Sequence, residues 1–493
     1  MNRNAPLPAG FRLAVDADTK LLDESTLFGG SPARVMRLSA AGRTAWTELQ
    51  DGPIASPAAG VLGRRLSDAG LAHPEPPPLT GTPDVTVIVP VRDRAEMLDR
   101  CLTSLGHAYP VLVVDDGSAD AAATAEMVAE HAARLLRRPA SGGPAAARNS
   151  GLGAVTSELV AFVDSDCVVE PRWVERLVAH FADPLVAAVA PRVFAVTAPT
   201  WAGRHSAAGG GLDLGDRAAR VVPGTRVSFV PTAALVVRRS ALPDVLRDNN
   251  IFDPDLRYGE DVDLVWRLHE AGWRVRYDPA VRVRHHEPAA WPDLLTRRFH
   301  YGTSAGPLAR RHPSSMAPLV LQPWPTVTVA ALLARRPVLA GLAFAASVIA
   351  LRRTVRRAGL PPTGIVGAMA TGVHQTWLGL GRYGTQFAGP LLLAALLAPG
   401  GSTPVRRWGR RAAVASLVLG RPLTTWMAGQ PTLDPVRFVL GQVADDVAYG
   451  AGVWAGSLRA RTGIPLRPAV SWRPFRVSRT PVPAAEAAVR SAG

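Results

Sequence analysis

The chain has 493 residues, with 55 Lys and Arg against 40 Asp and Glu, so its formal charge at pH 7 is +15. This length exceeds what one hydrophobic core usually organises, and we expect two or three domains. A basic chain fits anionic neighbours, but without zinc-finger spacing or an aromatic ribonucleoprotein pattern we expect no nucleic-acid partner. Cys101 and Cys167 have no paired spacing, which indicates neither a disulfide framework nor a zinc site.

The first segment, residues 1–73, alternates short apolar runs with helix-like stretches, which predicts short strands followed by small helices. Its amino terminus has no apolar run long enough for a secretory signal, so we expect the chain to work on the cytoplasmic side. A proline run at Pro74 to Pro78 opens a linker over residues 74–83, because such sequence favours extended geometry and cannot continue a helix.

Residues 84–316 alternate apolar runs with helical patterns, including helices that end near Gly106 and near Arg137. Continuous apolar strands spaced by helices predict an α/β domain whose parallel sheet is covered on both faces. Ligands of such sheets bind beyond the carboxyl ends of the strands. The acidic motifs of the chain fall at those ends.

Residues 317–493 change character, with apolar stretches at 326–351, 364–399 and 411–429 that contain Gly, Pro and Arg. About 20 apolar residues span a bilayer, and these stretches meet that length only marginally. Basic residues flank them: Arg352, Arg353, Arg356, Arg357, Arg406, Arg407, Arg410 and Arg411. The flanks favour a helical region at the cytoplasmic membrane surface, with buried helices of a soluble domain as the alternative.

Two acidic motifs end apolar strands. Asp115-Asp116-Gly117-Ser118 forms a turn whose oxygens can accept hydrogen bonds from a base or a ribose. Asp164-Ser165-Asp166 offers hard oxygen ligands, which suit Mg or Mn held together with substrate phosphates. Each motif taken alone is also an ordinary turn.

A third acidic motif, Gly259-Glu260-Asp261, opens a helical pattern. The helix dipole favours acidic residues in a first turn whatever the function of the protein. A general base for an acceptor hydroxyl has to be a group of this kind, and either Glu260 or Asp261 can serve.

Seven segments, taken in order, carry a family resemblance: TVIVPVRDR, VVDDGS, GGPAAARNSGL, FVDSD, PTAALVVRRSAL, FDPDLRYGEDVDLVWRL and VRVRHHE. They resemble the motif series of family 2 inverting glycosyltransferases, which have the GT-A fold. The resemblance runs from Asp84 to Glu287. The processive members carry a Gln-x-x-Arg-Trp motif that this chain lacks, so we expect no processive synthesis.

The resemblance implies roles for particular residues. It implies nucleotide-sugar contacts by Pro90, Arg92, Asp115, Asp116, Arg148, Asn149, Asp164 and Arg267. It implies a divalent Mg or Mn site formed by Asp164, Asp166 and one of two histidines, His285 or His286. Asp261 would be the base that deprotonates the acceptor, and Glu260 beside it would position the acceptor.

The whole chain resembles more closely the mycofactocin biosynthesis glycosyltransferases, which have an amino-terminal extension, this catalytic core and an apolar carboxyl-terminal region. That resemblance implies repeated transfer of a hexose, glucose from UDP-glucose, to a redox cofactor derived from a peptide. Transfer to a polyprenyl phosphate or a cell-envelope glycan is the alternative. An inactive GT-A scaffold at the membrane is the non-enzymatic alternative.

The amino-terminal segment has a resemblance of its own. LPAGFRL, the Gly29-Gly30-Ser31-Pro32 turn, RVMRLS and RRLSDAGL are similar to small PqqD-like peptide-binding domains. Such domains take a peptide as an added strand, which implies peptide-maturation partners. We therefore expect an α/β GT-A fold with a small winged-helix or PqqD-like domain before it and a helical, apolar region after it. A winged-helix-like cap without a ligand is the alternative for the first domain.

Overall fold

The computed structural model describes residues 4–196, 198–357, 359–398, 404–429, 431–472 and 476–478. The end of the predicted carboxyl-terminal region, residues 479–493, lies outside the described residues, as does the side chain of Arg406. Along the described residues the elements follow one another as an amino-terminal α/β unit, a central sheet with helices, and a run of carboxyl-terminal helices.

The amino-terminal unit contains short strands and two helices: β1 (Arg12–Val15), β2 (Lys20–Asp23), β3 (Thr26–Gly29), β4 (Arg34–Arg37), α1 (Ala40–Asp51), α2 (Pro57–Ala69) and β5 (Ala72–Glu75). Each helix starts at a serine, Ser39 or Ser56, whose hydroxyl oxygen accepts a backbone N–H of the first turn. Strands followed by helices were predicted here. Strand β5 pairs with β1 and extends two residues into the predicted linker 74–83.

A strand from the carboxyl-terminal part of the chain pairs with one edge of the amino-terminal sheet. Strands β2, β3 and β4 form antiparallel ladders. The strand β17 (Arg476–Ser478) adds to β4 in parallel. Among the described residues, an added peptide strand would therefore find β2 as the open edge of this sheet.

The central sheet has nine strands, of which β6 to β9 carry the first motifs: β6 (Val85–Val91), β7 (Val111–Asp115), β8 (Arg134–Arg137) and β9 (Leu159–Val163). The others are β10 (Cys167–Val169), β11 (Val186–Ala195), β12 (Ala219–Arg220), β13 (Ala234–Arg238) and β14 (Arg274–His285). Their order is β10-β14-β11-β13-β9-β6-β7-β8, and β12 also pairs with β14.

This sheet is mixed, which corrects the expectation of a parallel sheet. Strands β8, β7, β6 and β9 are parallel to one another, as predicted. Strand β13 runs antiparallel to β9 and to β11 because the chain returns along the sheet after β11. Two apolar cores line the two faces of the sheet, with Phe162 in one and Val163 in the other.

Helices cover both faces of the sheet: α3 (Ala95–Leu105), α4 (Ala121–Glu130), α5 (Pro144–Gly153), α6 (Trp173–Val178), α7 (Trp201–Gly209), α8 (Glu260–Glu270), α9 (Trp291–Thr303) and α10 (Ala305–Arg311). The helix predicted to reach Arg137 ends at Glu130. Ala132 has a φ of 52°, a left-handed conformation that stops the helix. The following residues form β8 instead.

The carboxyl-terminal region is helical: α11 (Pro323–Leu333), α12 (Pro337–Arg357), α13 (Ile365–Phe387), α14 (Gly389–Leu397), α15 (Pro404–Gly429) and α16 (Pro435–Arg459). Two short strands, β15 (Val320–Leu321) and β16 (Ala469–Val470), pair beside them. Within the described part of the chain, α12 is the one helix long and apolar enough to cross a membrane, judged by length and composition alone.

Helix α16 joins this region to the helices beside the central sheet. It packs against α9 and α10 backbone to backbone, and a side chain at Gly302 or Gly456 would collide with a carbonyl oxygen of the opposite helix. At the same contact Arg298 of α9 donates to Asp445 at 2.5 Å. Helix α16 therefore packs closely against the helices beside the central sheet.

Candidate active site

Several elements bring polar side chains to one edge of the central sheet. Strands β6, β7 and β9 are parallel neighbours, so their carboxyl ends meet there. Strand β10 pairs with the end of β14 in a register that sets Cys167 opposite His285. Gly259, with a φ of 83°, then turns the chain into α8. The predicted acidic motifs are thus neighbours in space.

Asp115 and Asp116 form the first half of this site, and both are buried. The carboxylate of Asp115 accepts the Ser118 N–H at 2.9 Å and a guanidinium N–H of Arg137. The carboxylate of Asp116 accepts from Arg138 and from the backbone N–H of Gly143 at 2.8 Å. Their oxygens are therefore already engaged inside the protein.

Arginine partners of these carboxylates were missed in the sequence. Arg137 is the last residue of β8 and Arg138 follows it, in a segment that we predicted as the end of a helix. A strand ending at Arg137 would have placed both arginines beside the carboxyl end of β7, since β7 and β8 are parallel. Arg92, a predicted nucleotide contact, lies half exposed at the same place and donates to Ser141 Oγ at 3.1 Å.

Arg148 links the second half of the site. Its guanidinium donates to Asp164 Oδ1 and to Glu260 Oε1, both at 2.7 Å. Arg148 is 3 % exposed, whereas the Asp164 side chain is 30 % exposed. One buried arginine thus ties the strand motif of Asp164 to the helix motif of Glu260, which the sequence separates by more than ninety residues.

Glu260 and Asp261 open α8 as the predicted acidic pair. Burial, together with the adjacent charge of Asp261, raises the pKa of Glu260 to about 7 against the pull of Arg148. Burial also raises the pKa of Asp261, although Arg148 and the N–H of Val262 oppose that shift. Glu260 is buried in its ion pair, while Asp261 retains exposed surface. Asp261 is therefore the less buried carboxylate of the two and our candidate for the general base.

Asp166 and His285 form a buried pair at the floor of the second half. His285 Nε2 lies 3.4 Å from Asp166 Oδ1, and Arg94 donates to Asp166 Oδ2 at 2.6 Å. Burial alone would raise the pKa of Asp166, but His285 and Arg94 hold that pKa far below its usual range. Burial would lower the pKa of His285, but Asp166 and Glu287 raise it to about 9.

A divalent cation fits this pair on two observations. Asp166 Oδ1 is buried and lacks a hydrogen-bond donor. Oxygen, sulfur and nitrogen atoms of Asp166, Cys167 and His285 lie within 4.8 Å of one another. Burial raises the pKa of the Cys167 thiol well above its usual value, and a hard cation prefers oxygen, so Asp166 and His285 are the better ligands.

The other predicted residues have different surroundings. Asn149 donates to the Phe252 carbonyl oxygen at 2.7 Å and holds the loop before α8. Arg267 donates to Asp263 at 2.8 Å and to carbonyl oxygens of the same loop, so its guanidinium is not part of the acidic cluster. Pro90 lies within β6 opposite Val114. His286 donates its backbone N–H to the Asp166 carbonyl oxygen at 2.9 Å.

Comparison with known proteins decides the family. Residues 86–246 match the family described as Glycosyl transferase family 2. The pre-mycofactocin glycosyltransferase of Mycobacterium tuberculosis (strain ATCC 25618 / H37Rv) is 40% identical over 485 residues, which cover 94% of this chain and 98% of that protein. The chain belongs to glycosyl transferase family 2. It is a glycosyltransferase, as the ordered motifs predicted.

Other relatives of this glycosyltransferase are less similar to it. The succinoglycan biosynthesis protein ExoO of Rhizobium meliloti (strain 1021) is 27% identical over 213 residues, or 42% of this chain and 55% of that protein. Among solved structures, the mannosyltransferase PcManGT from Pyrobaculum calidifontis, in complex with GDP-Man and Mn²⁺, aligns at a TM-score of 0.37 and 20% identity. That alignment covers 70% of this chain and 88% of the other.

The family match of the glycosyltransferase stops before part of its site. It ends at residue 246, so Glu260, Asp261 and His285 lie beyond it. Their proximity to the matched residues Arg148, Asp164 and Asp166 comes from the fold, through the ion pairs of Arg148 and of His285. Two regions of the chain therefore contribute to the site.

Proposed function

We propose that this glycosyltransferase moves glucose from UDP-glucose to pre-mycofactocin and inverts the anomeric configuration. The similarity to a pre-mycofactocin glycosyltransferase over almost the full length of both chains carries the choice of acceptor. The accessible Asp261, beside Glu260 and one arginine away from Asp164, supports a single displacement with one base. Repeated transfer would extend the sugar into an oligosaccharide.

The proposed step uses Asp261 as general base. Its carboxylate takes the proton from the acceptor hydroxyl while that oxygen forms a bond to the anomeric carbon of glucose. The bond between the anomeric carbon and the diphosphate oxygen breaks, and UDP leaves with the electron pair. A base contributes about 10²- to 10⁴-fold to such a step. Burial of Asp261 favours this role, since its raised pKa makes it a stronger proton acceptor.

Asp166 and His285, with Asp164 from the cleft side, would hold a divalent Mg or Mn ion. Bound there, the ion would neutralise charge on the diphosphate of the donor. His285 ligates only as a neutral imidazole, so metal binding there would release the proton that gives the imidazole its positive charge between Asp166 and Glu287. Arg94, on the other oxygen of Asp166, keeps that carboxylate oriented.

The direct test is transfer with defined substrates. Purified chain with Mn and UDP-glucose is expected to add hexose masses to pre-mycofactocin, whereas GDP-mannose in place of UDP-glucose gives none. Nuclear magnetic resonance of the product should show a β-anomer from the α-linked donor. Hydrolysis of UDP-glucose without any transfer would reject the acceptor and leave the glycosyltransferase assignment intact. An α-anomer would reject the single displacement.

A polyprenyl phosphate acceptor is the second candidate, and the carboxyl-terminal helices favour it. Leu342 of α12 and Leu391 of α14 are exposed, as are Arg352 and Arg353 at the end of α12. Exposed leucines beside arginines suit the interface of an anionic bilayer. In competition, transfer to a short-chain polyprenyl phosphate in preference to pre-mycofactocin would select this alternative.

The same surface leads us to propose that the enzyme works at the cytoplasmic face of the membrane. We expect the full chain to float with vesicles that contain anionic phospholipid and to remain in solution with neutral vesicles. A carbonate wash separates the two modes of attachment, because it releases a peripheral protein and leaves a spanning one in the membrane. Failure to bind either kind of vesicle would reject the membrane location.

We also retain the proposed division into residues 1–73, 74–83, 84–316 and 317–493, with a winged-helix or PqqD-like role for the first part. If that part recruits a peptide-maturation partner by strand addition, the open edge at β2 supports the proposal. A proline at Leu21, which lies on β2, should weaken the capture of such a partner without changing transfer to free pre-mycofactocin.

A further inference from the structure

A cavity lies between the amino-terminal unit and the central sheet. It has a volume of about 600 Å³, and its lining includes Ser31, Asp68, His73, His269 and most of residues 219–227. His269 is near the end of α8, nine residues after Glu260. At 1.5 Å per residue that is about 13 Å along the helix, so the cavity is separate from the acidic cluster.

The walls of this cavity carry more positive than negative charge. Its lining includes three arginines, Arg34, Arg220 and Arg226, and one carboxylate, Asp68. Asp68 is shared, because Arg220 lies at 3.2 Å and Arg274 at 2.7 Å from it. One carboxylate therefore faces two guanidinium groups on this side of the cavity.

Arg226 has a carboxylate partner that is shared as well. It lies 3.0 Å from Asp16. Asp16 also accepts from Arg217 at 2.7 Å and pairs with His73 Nε2 at 2.8 Å. Asp18 lies 2.8 Å from Arg217 and 3.9 Å from Arg226, so these two arginines share two carboxylates, and the excess of positive charge lies on the Arg220 side of the cavity.

A further arginine, Arg276, adds positive charge next to Arg220. Arg276 on β14 is directly opposite Arg220 on β12, and like charges in that position repel. Arg276 is 3 % exposed, and its Nε and Nη1 have no hydrogen-bond acceptor. The Nε of Arg220 also lacks one. Burial is the main cause that lowers the pKa of Arg276 to about 10, and the charge of Arg220 adds to the shift.

We propose that this cavity binds a small oxyanion, a phosphate- or carboxylate-bearing metabolite, whose oxygens face the Arg220 side of the wall. Arg220, which lines the cavity, has a buried Nε without an acceptor, and such a donor costs free energy that a bound oxyanion would offset by supplying an acceptor and negative charge. The volume is in the range of small-molecule sites. This site is separate from the donor site and does not depend on the proposed sugar or acceptor.

Thermal unfolding of the full chain in EDTA tests the proposal, with inorganic phosphate and citrate as probes and NaCl at matched ionic strength as reference. We expect one of the two probes to raise the Tm saturably, and the stronger probe identifies the phosphate or the carboxylate class. Arg220→Gln should weaken that probe at least tenfold, while Arg220→Lys keeps part of the response. Arg43→Gln, an exposed position on α1, removes the same charge elsewhere and should respond as wild type.

Stability without a probe separates binding from a merely structural role. Because Arg220 faces other cations, Arg220→Gln should unfold at the wild-type temperature or above it in low salt. A lower Tm for Arg220→Gln, with an unchanged probe response, would make Arg220 a structural ion-pair partner and overturn the proposal. A rise in Tm no larger than that produced by NaCl at the same ionic strength would overturn the proposal too. So would loss of the response in Asp166→Ala, because the probe would then be bound in the donor site.

Discussion

The two halves of the active-site edge are held in different ways. Around Asp115 and Asp116, arginines and backbone N–H groups saturate the carboxylate oxygens. In the second half one arginine, Arg148, serves both Asp164 and Glu260, and one buried oxygen of Asp166 has no hydrogen-bond donor. The carboxylate oxygens of the first half are thus all engaged, whereas the second half keeps an unused acceptor on Asp166 and raised pKa values at Glu260 and Asp261. We infer that the first half shapes binding and the second performs the chemistry.

The largest effect should come from the second half, at its metal ligand. Asp166→Ala removes the carboxylate between Arg94 and His285. We expect transfer to fall by on the order of 10³-fold, because the charge stabilisation by a metal amounts to several kcal/mol. The measurement is UDP release and product mass with Mn at saturating UDP-glucose.

The matched control for that variant is Asp213→Ala. Asp213 pairs with Arg192 at 2.8 Å outside the acidic cluster. Its loss should leave transfer within a few-fold of wild type if the fold is retained, which circular dichroism reports. Equal losses in both variants would mean that Asp166 acts through stability and not through the reaction.

The pH profile is expected to show the next largest effect. The rate requires an ionised base, so kcat/KM should fall about tenfold for each pH unit below the pKa of the Glu260–Asp261 pair and level off above it. For Glu260 that pKa is raised to about 7, by burial first and then by the charge of Asp261.

Glu260→Gln removes the like charge beside Asp261. We expect it to move the half-maximal rate to lower pH, while the slope below that point stays the same. A profile that is flat from about pH 5.5 to about pH 8 in the wild type would exclude this pair as the source of the base.

The sequence was sufficient for the ordered motifs and the family, because each motif lies at a strand end or a helix start that short-range patterns define. The sequence was not sufficient to predict which side chains from different strands and helices contact one another. The bond from Arg148 to Glu260 joins residues 112 positions apart. The contact of His285 with Asp166 depends on β10 running antiparallel to β14, in a sheet that we expected to be parallel.

One helix end that we predicted wrongly also concealed part of the site. Extending α4 to Arg137 hid β8, and with it the two arginines that hold Asp115 and Asp116. Arg267 was predicted to contact the nucleotide sugar, and in the structure its side chain bonds to Asp263 one helical turn earlier. Helical spacing at four residues predicts that ion pair as readily as a ligand contact.

The smallest effect should come from the first half. Asp116→Asn keeps the shape of the side chain but removes the charge that holds Arg138 and the backbone of Gly142 and Gly143. A hydrogen bond to a charged group contributes about 1.5–3 kcal/mol, so we expect the KM for UDP-glucose to rise about tenfold or somewhat more. The value of kcat should change little, and a large fall in kcat with an unchanged KM would reverse the roles of the two halves.

The division of labour between the halves is tested most directly by one variant, Asp261→Asn, with donor binding and turnover measured on the same preparation. We expect UDP-glucose to bind with the wild-type Kd, since the donor contacts lie elsewhere, while kcat for transfer falls about 10²- to 10⁴-fold. An unchanged kcat would contradict the account, because the reaction would then proceed without the carboxylate that we assign as its base.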